Sequence, residues 1–354
     1  MNAWGVIGHD WAVEHLRKSM EFRRVRHAYL ILGAESVGKE TLARAFAMAL
    51  NCEDPDPARH PCGVCAACTR IAHGTHPDVI YAQHDATTGA LRIEEIRSVA
   101  GKLALKPFEA RYRVAIFRDF DLARPQAQDA LLKTLEEPSP ASLLFLLARS
   151  TDANLPTTAS GMTQTPEAIL PTITSRSQII RLRPVPASEI AHALIEQYSA
   201  GEDQASLIAS ASSGRVGWAI RALQDPGLLA QRETALDLLE RLVAQPLTGR
   251  FKESDGLAKD RLALYPLLSL WQTWWRDLLL LAEGAETPLT NLDRAAHLRV
   301  LAQHCTPDEV FEALSATRTA LHTLITTNVQ AKLALDVMLL QYPRPRIIHA
   351  APQH

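Results

Sequence analysis

The 354-residue sequence lacks any long apolar run, and its net charge is close to zero. Its longest apolar stretches, SLLFLLA and LLLLA, are too short to cross a bilayer, and its amino-terminal residues lack the apolar core of a signal peptide. We therefore expect a cytoplasmic protein without membrane contact. A formal net charge of −2 also gives no indication of strong free-standing DNA binding through phosphate neutralisation.

The first half of the sequence alternates strand-like apolar runs with helical patterns, which predicts a parallel sheet flanked by helices. Predicted strands cover Ala28–Leu32, Arg113–Phe117, Ser142–Ala148 and a last run ending near Pro184. Predicted helices cover Thr41–Leu50 and the string QAQDALLKTLEEP, which Pro138 terminates. We therefore expect an α/β domain over residues 1–184.

From Ala187 to about Leu340 the sequence shows only helical periodicity, which predicts a small helical domain followed by a larger helical block. Three tryptophans in that block, Trp271, Trp274 and Trp275, lie at helical spacing on an apolar face and predict a buried packing cluster. The polar, Thr/Pro-rich segment 151–168 predicts a long loop between two strands, and residues 343–354 predict a frayed tail.

The stretch GAESVGKET, between a predicted strand and a predicted helix, has the skeleton of a phosphate-binding loop. Gly33, Gly38 and Lys39 have the required spacing, because glycines let backbone N–H groups surround phosphates and lysine neutralises their charge. Glu40 stands where a hydroxyl should hold Mg²⁺, and Thr41 comes one residue too late. The sequence is therefore compatible with phosphate binding, and it argues against efficient hydrolysis.

The segment RVAIFRDFD carries a second departure from a hydrolytic site. The first position after the strand, where an acidic residue should organise the metal, is Arg118, and Asp119 and Asp121 follow it. Taken alone, these charges are equally compatible with solvated turn residues. Together with Glu40, they indicate loss of the metal-dependent step.

Four of the five cysteines lie in one short segment, Cys52, Cys62, Cys65 and Cys68. Paired C-x-x-C steps in a cytosolic protein favour a tetrahedral structural zinc site over disulfides or a redox pair. Histidines nearby, His60, His73 and His76, could replace a ligand, although four thiolates already complete the shell. The isolated Cys305 predicts a core residue.

These motifs together resemble the delta-prime subunits of bacterial DNA polymerase III clamp loaders, a branch of the AAA+ proteins related to the gamma/tau subunits. The likeness runs from about Val6 to Arg183 and includes DALLKTLEEPSP and ILPTITSRSQ. It implies an AAA+ domain (1–184) with a zinc-binding loop (52–68), a helical lid (185–230), and a helical collar (231–342) for oligomerisation. The family's S-R-C motif corresponds to Ser175-Arg176-Ser177, which implies that Arg176 is an arginine finger reaching a neighbour's ATP.

The resemblance also implies partners: gamma/tau and delta subunits in a pentameric ring, with the sliding clamp and primer–template DNA contacted through the complex. Glu40 and Arg118 favour delta-prime over gamma/tau, as does Gly217, which aligns with the family's ATP-sensing arginine. The sequence also ends soon after the predicted collar, without an extension for tethering polymerase or helicase.

Two other interpretations stay open at this point. One is an active gamma/tau-type ATPase that improvises a metal site from Glu40 or Thr41 and Asp119. The other is a zinc-dependent nucleic-acid module, which the near-neutral charge argues against. Three basic residues before the predicted strand Arg113–Phe117 are typical of a solvated face and are not assigned to DNA: Lys102, Lys106 and Arg111. Whether ATP or ADP occupies the loop is left undecided by the sequence.

Overall fold

The computed structural model describes residues 4–85, 91–149 and 169–343. The chain divides into two compact units, one formed by Met1–Ala193 and Gly214–Trp218 and the other by Leu194–Ser213 and Ala219–His354. The predicted loop at 151–168 and the tail from residue 344 lie outside the described residues. The predicted division into three domains is not tested by these two units and stays a prediction.

In the part of the chain that the structure describes, the first unit contains one sheet of five parallel strands in the order β2-β3-β4-β1-β5. The strands are β1 (Ala28–Leu32), β2 (Val79–Tyr81), β3 (Arg113–Phe117), β4 (Ser142–Ala148) and β5 (Gln178–Arg181). β1 lies between β4 and β5, and Leu30 is paired with Leu146 on one side and Ile179 on the other. The predicted parallel sheet is confirmed, with β2 as a strand that the sequence did not predict.

Helices flank this sheet along the first half of the chain. They are α1 (Asp10–Glu21), α2 (Lys39–Asn51), α3 (Ala66–Ala72), α4 (Ile93–Leu103), α5 (Pro125–Asp129), α6 (Leu132–Glu136) and α7 (Pro171–Arg176). The single helix predicted for QAQDALLKTLEEP was wrong, because the chain forms α5 and α6 with a break at Ala130 and Leu131. Gln128 in α5 and Leu131 in the break are both buried.

The sheet is buried on both faces, as expected for parallel strands covered by helices. Alternate residues of β1 enter different cores. Tyr29 and Ile31 pack with Phe46 of α2, whereas Leu30 packs with residues of α4 such as Ile96. This arrangement holds β1 and α2 rigidly, and so it fixes the loop that connects them.

The second half of the described chain is helical. Its helices are α8 (Ala187–Tyr198), α9 (Glu202–Ala211), α10 (Val216–Gln224), α11 (Pro226–Ala244), α12 (Leu247–Leu257), α13 (Arg261–Ala282), α14 (Ala295–Ala302), α15 (Pro307–Thr326) and α16 (Ala331–Leu340). Trp271, Trp274 and Trp275 on α13 are completely buried in the core of the second unit, which confirms the predicted packing cluster. None of the described helices combines the length and apolarity needed to span a membrane.

Candidate nucleotide and metal sites

The glycine-rich loop connects β1 to α2 in the geometry that its sequence predicts. Gly38 begins α2 with φ of +113°, a left-handed conformation that favours glycine. A Cβ added at Gly33 would lie 2.8 Å from the carbonyl oxygen of Leu182, so the close approach of the chain after β5 also requires glycine. Both glycines are therefore needed to shape the loop.

Lys39 folds back onto the loop that it follows. Its Nζ donates hydrogen bonds to the carbonyl oxygens of Gly33 (2.8 Å) and Ala34 (2.7 Å). Burial lowers the pKa of Lys39, and the nearby Asp119 and Asp121 act in the opposite direction. The ammonium group that would bind a phosphate thus already donates hydrogen bonds to carbonyl oxygens of the loop.

Glu40 and Arg118, the two residues that depart from a hydrolytic site, form an ion pair with each other. Arg118 Nη2 lies 2.6 Å from Glu40 Oε1, and the Arg118 guanidinium lies 4.8 Å from the centroid of the Tyr81 ring. In the sequence the two changes are 78 residues apart and give no sign that they meet. The sheet brings them together, and a guanidinium now holds the carboxylate that replaced the metal-binding hydroxyl.

Asp121, one of the two acidic residues after β3, is engaged by an arginine. Its carboxylate accepts hydrogen bonds from the backbone N–H (3.0 Å) and Nε (2.8 Å) of Arg149 at the end of β4. Among the described residues, the four cysteines form a group of three or more possible metal ligands that lie close together. No such group of carboxylates is found at this loop within the described residues. Of the residues from which an active ATPase would improvise a metal site, Glu40 or Thr41 with Asp119, Glu40 is already paired with Arg118.

Two further contacts close the loop, and the sequence did not predict them. The Gly217 N–H donates to the Ser36 carbonyl oxygen (2.8 Å), and a Cβ at Gly217 would lie 3.2 Å from the same oxygen. The buried His9 donates from Nε2 to the Val37 carbonyl oxygen (3.0 Å). The position aligned with the family's ATP-sensing arginine is therefore packed against the loop, where a larger side chain has little space.

Arg176, the candidate arginine finger, is the last residue of α7. Its Nη2 donates to Glu136 Oε1 (2.9 Å) and its Nη1 to the Thr172 carbonyl oxygen (3.2 Å). The Arg176 side chain is 37% exposed and that of Glu136 is 52% exposed. Such solvent-exposed ion pairs contribute only about 0–1 kcal/mol, so the pair holds Arg176 weakly. Glu136 lies in the LLKTLEEP string, and the sequence did not predict its contact with Arg176.

The four cysteines of the predicted zinc loop come together in space. Their Sγ atoms all lie within 4.8 Å of one another. A tetrahedral ion with Zn–S bonds of about 2.3 Å requires S–S separations of about 3.8 Å, so a small contraction would seat it. Cys305 is not part of the group, and it packs against the core of the second unit as predicted.

Backbone groups support thiolate at this cluster. Sγ atoms of Cys52, Cys62 and Cys65 accept hydrogen bonds from the backbone N–H groups of Cys62, Cys65 and Cys68, at N–S distances of 3.3–3.4 Å. The backbone N–H groups of Val64 and Cys65 lower the pKa of Cys62 to about 7, whereas burial raises the pKa of Cys68. The donor set thus fits a structural metal ion, and the nearby histidines are not needed as ligands.

The order of the five parallel strands, with a phosphate-binding-type loop after β1 between β4 and β5, defines an AAA+-like fold. The family model described as "DNA polymerase III, delta subunit" matches residues 8–162. The tau subunit of Bacillus subtilis DNA polymerase III is 31% identical over 253 residues, which cover 70% of this chain and 42% of that protein. The delta-prime subunit of Pseudomonas aeruginosa is 33% identical over 138 residues, which cover 39% of this chain and 42% of that protein.

The chain thus spans less than half the length of these two curated relatives. A solved structure of a DNA polymerase III gamma subunit-related protein from Thermotoga maritima aligns with 95% of this chain and 100% of that chain, at 17% identity and a TM-score of 0.47. That likeness carries no information on function. Residues 8–162 are thus similar to the delta-subunit family of DNA polymerase III, and the chain is also similar to tau and delta-prime subunits.

The cysteine cluster generates a first prediction. The purified chain is expected to contain about one zinc ion per molecule, because four thiolates complete a tetrahedral shell. Metal analysis by mass spectrometry checks the stoichiometry, and chelation is expected to lower the melting temperature of the first unit. Cys65→Ser should lose most of the zinc, whereas the matched control Cys305→Ser should keep it. Equal zinc contents in both variants, or a Cys52–Cys68 disulfide in the purified chain, would refute the site.

Proposed function

We propose that this chain is a delta-prime-type subunit of a DNA polymerase III clamp loader. It hydrolyses little or no ATP itself, and it supplies Arg176 in trans to the ATP of a neighbouring subunit. In this role it joins gamma/tau and delta subunits in a pentameric ring in the cytoplasm. The ring loads the sliding clamp onto primer–template DNA during replication.

The observation that carries the proposal is the Glu40–Arg118 ion pair. Phosphoryl transfer from ATP requires Mg²⁺, which a loop hydroxyl and an acidic residue after the neighbouring strand normally hold. Here the first position carries a carboxylate and the second carries a guanidinium, which repels a cation. The pair favours a loop that is stable without a metal ion, and therefore a subunit without its own hydrolytic step.

The position of Arg176 supports its role toward a neighbour. A guanidinium offered in trans stabilises the charge that develops on the transferred phosphoryl group. Arg176 lies at the end of a short helix, partly exposed, and one weak ion pair with Glu136 restrains it. Exchange of that carboxylate for a neighbour's phosphate costs little, since both groups are already hydrated.

The remaining parts take the roles that the resemblance implies. We assign residues 1–184 to the AAA+ domain, 185–230 to a lid and 231–342 to an oligomerisation collar. The cysteine loop, 52–68, binds zinc in a structural and not a catalytic role. Gly33, Gly38, Lys39, Glu40 and Thr41 form a degenerate phosphate loop, which binds ATP or ADP weakly if at all.

The alternative is an active ATPase of the gamma/tau type. It is favoured by the retained Gly33, Gly38 and Lys39 and by the identity to tau over 70% of this chain. The ion pairs of Glu40 with Arg118 and of Asp121 with Arg149 argue against it, because each places a guanidinium where a metal ion would have to approach the carboxylate.

The trans role of Arg176 generates a second prediction. In the assembled complex, Arg176→Ala is expected to slow the ATPase site that receives Arg176 by on the order of 1,000-fold, since that is the contribution of an arginine finger. Steady-state phosphate release by the whole complex should fall by the fraction that this one site contributes. Size-exclusion chromatography should show that the complex still assembles.

Two matched variants serve as controls for this result. Glu136→Ala removes the ion pair but keeps the arginine, and it should retain most of the activity. Arg24→Ala removes an exposed arginine elsewhere in the first unit and should have no effect. Normal hydrolysis by a complex that carries Arg176→Ala would rule out the finger role.

The ion pair at the loop generates a third prediction. The double variant Glu40→Ser with Arg118→Asp restores a hydroxyl and a carboxylate at the two metal-holding positions. We expect Mg²⁺ to strengthen ATP binding by the double variant by at least about tenfold, because the metal bridges the protein and the phosphates. Wild-type protein should show no such Mg²⁺ effect in isothermal titration calorimetry. An equally strong Mg²⁺ dependence in the wild-type protein would contradict our account of the pair.

A further inference from the structure

A short segment before α1 contacts both the cysteine loop and the phosphate loop. Trp4 and His9 lie at its two ends, and both are buried. Between them, Gly8 is packed so closely that an added Cβ would lie 2.3 Å from a methyl group of Val185, and its φ of +77° also favours glycine. We call residues 4–9 the amino-terminal strap.

One end of the strap is bonded to the cysteine loop. Trp4 Nε1 donates a hydrogen bond to the carbonyl oxygen of His60 (3.1 Å), shortly before Cys62 in the sequence. The buried His60 side chain bonds within the same loop, where its Nε2 donates to the carbonyl oxygen of Asp54 (2.8 Å). The Trp4 indole thus holds the backbone that leads into one cysteine of the cluster.

The same indole packs on the helix that follows the phosphate loop. The rings of Trp4 and Phe46 are stacked, with a centroid distance of 5.7 Å and an interplanar angle of 17°. Phe46 lies in α2, and its ring meets the edge of Tyr29 in β1 at 5.5 Å. Trp4 therefore makes two separable contacts, a hydrogen bond to the cysteine loop and a ring contact with the core of the first unit.

The other end of the strap is bonded to the phosphate loop. His9 Nε2 donates to the carbonyl oxygen of Val37 (3.0 Å), directly before Gly38. The His9 ring also lies close to Gly38, since a Cβ added there would be 3.7 Å from its Cδ2. A close-packed segment transmits displacement, because few voids exist to absorb it. A shift at Trp4 is therefore expected to reach the Val37 carbonyl oxygen.

The position of the His60 carbonyl oxygen depends on the cysteine cluster. Between α2 and α3, all of whose connecting residues are described, the regular structure is a three-residue 3-10 helix, Pro57–Arg59. Cys52 before His60 and Cys62 after it both belong to the cluster. An ion that joins these two cysteines closes the chain on either side of His60, and short loops of this kind commonly depend on their metal for conformation.

We propose that the amino-terminal strap connects metal occupancy of the cysteine loop to the rigidity of the phosphate loop, with Trp4 and His9 as its positioning residues. With zinc bound, the His60 carbonyl oxygen is fixed and Trp4 holds the strap to it. Without the ion, the strap loses this restraint, and the Val37 carbonyl oxygen loses it in turn. The inference rests on the proposed structural zinc site and is independent of the proposed role of Arg176.

Zinc release by the full-length chain tests the first half of the strap. Trp4→Phe keeps a ring stacked on Phe46 but removes the N–H donor to His60. We expect Trp4→Phe to transfer zinc to a chromophoric chelator at least about fivefold faster than wild-type protein, since loss of an outer-shell bond commonly weakens metal binding by about 10–100-fold. The matched control is Trp11→Phe, at an exposed tryptophan of α1, which should release zinc at the wild-type rate.

Tryptophan fluorescence supplies a readout that loss of packing alone would not change. Removal of zinc should shift the emission of wild-type protein and of Trp11→Phe to longer wavelength, because the Trp4 indole loses its bond to His60 and becomes hydrated. Trp4→Phe should lack most of this shift. An equal shift in Trp4→Phe and in wild-type protein would show that Trp4 does not respond to the metal.

Hydrogen exchange tests the second half of the strap. Removal of zinc from wild-type protein should speed exchange of the amides of residues 36–42 by at least about threefold, because local opening of the loop becomes easier. His9→Phe, which cannot bond to Val37, should show the faster exchange with zinc still bound. It should release zinc at the wild-type rate, and chelation should speed its loop exchange no further.

The outcomes separate this inference from the proposed function. Equal zinc release from wild-type protein and Trp4→Phe, or loop exchange that does not respond to chelation in wild-type protein, would overturn the strap and leave the zinc site in place. The wild-type comparison decides the second point even if His9→Phe does not fold. A purified chain without zinc would reject the zinc site and this inference together, whereas the role of Arg176 would stand.

Discussion

Groups of the chain itself donate hydrogen bonds to carbonyl oxygens of the phosphate loop and neutralise its Glu40 side chain. Lys39 binds the carbonyl oxygens at the start of the loop, and Gly217 and His9 bind two later ones. Arg118 neutralises Glu40 at the point where a metal ion would otherwise be required. A phosphate loop offers its backbone N–H groups and its lysine to a nucleotide, and here that lysine is held by carbonyl oxygens of the loop itself.

These contacts within the loop connect the two parts of the proposed function, which are the lack of hydrolysis by this subunit and the supply of Arg176 to a neighbour. Under the proposed function, a loop held by contacts within the chain would let this subunit present Arg176 from a fixed framework. The framework is the parallel sheet, buried on both faces, with α2 packed through Phe46 against β1. The cysteine cluster adds a further local brace, since the segment that carries it begins directly after α2 and ends in α3.

Much of the first unit could be predicted from the sequence, because its strands are short apolar runs with clear ends. β1, β3 and β4 have the predicted bounds, and the cysteines meet as their spacing implied. β2 was not predicted, since three residues are too few to show a pattern. The break between α5 and α6 was also missed, because burial of Gln128 overrides a continuous helical periodicity.

The contacts that close the loop were beyond sequence reasoning for a different reason. Glu40 and Arg118 are 78 residues apart, and each looked like an isolated loss until the sheet placed them 2.6 Å from each other. His9 and Gly217 contact the loop from opposite ends of the first unit's sequence. Long-range polar pairs of this kind have no local signature, whereas glycine spacing and apolar periodicity do.

Steady-state ATP hydrolysis by the purified chain, measured beside Lys39→Ala, tests the central claim most directly. Our account predicts that the two proteins release phosphate at the same background rate, because the wild-type loop holds no metal ion and performs no transfer. Measurable turnover by the wild-type chain that Lys39→Ala abolishes would contradict it, and would establish an active ATPase in its place.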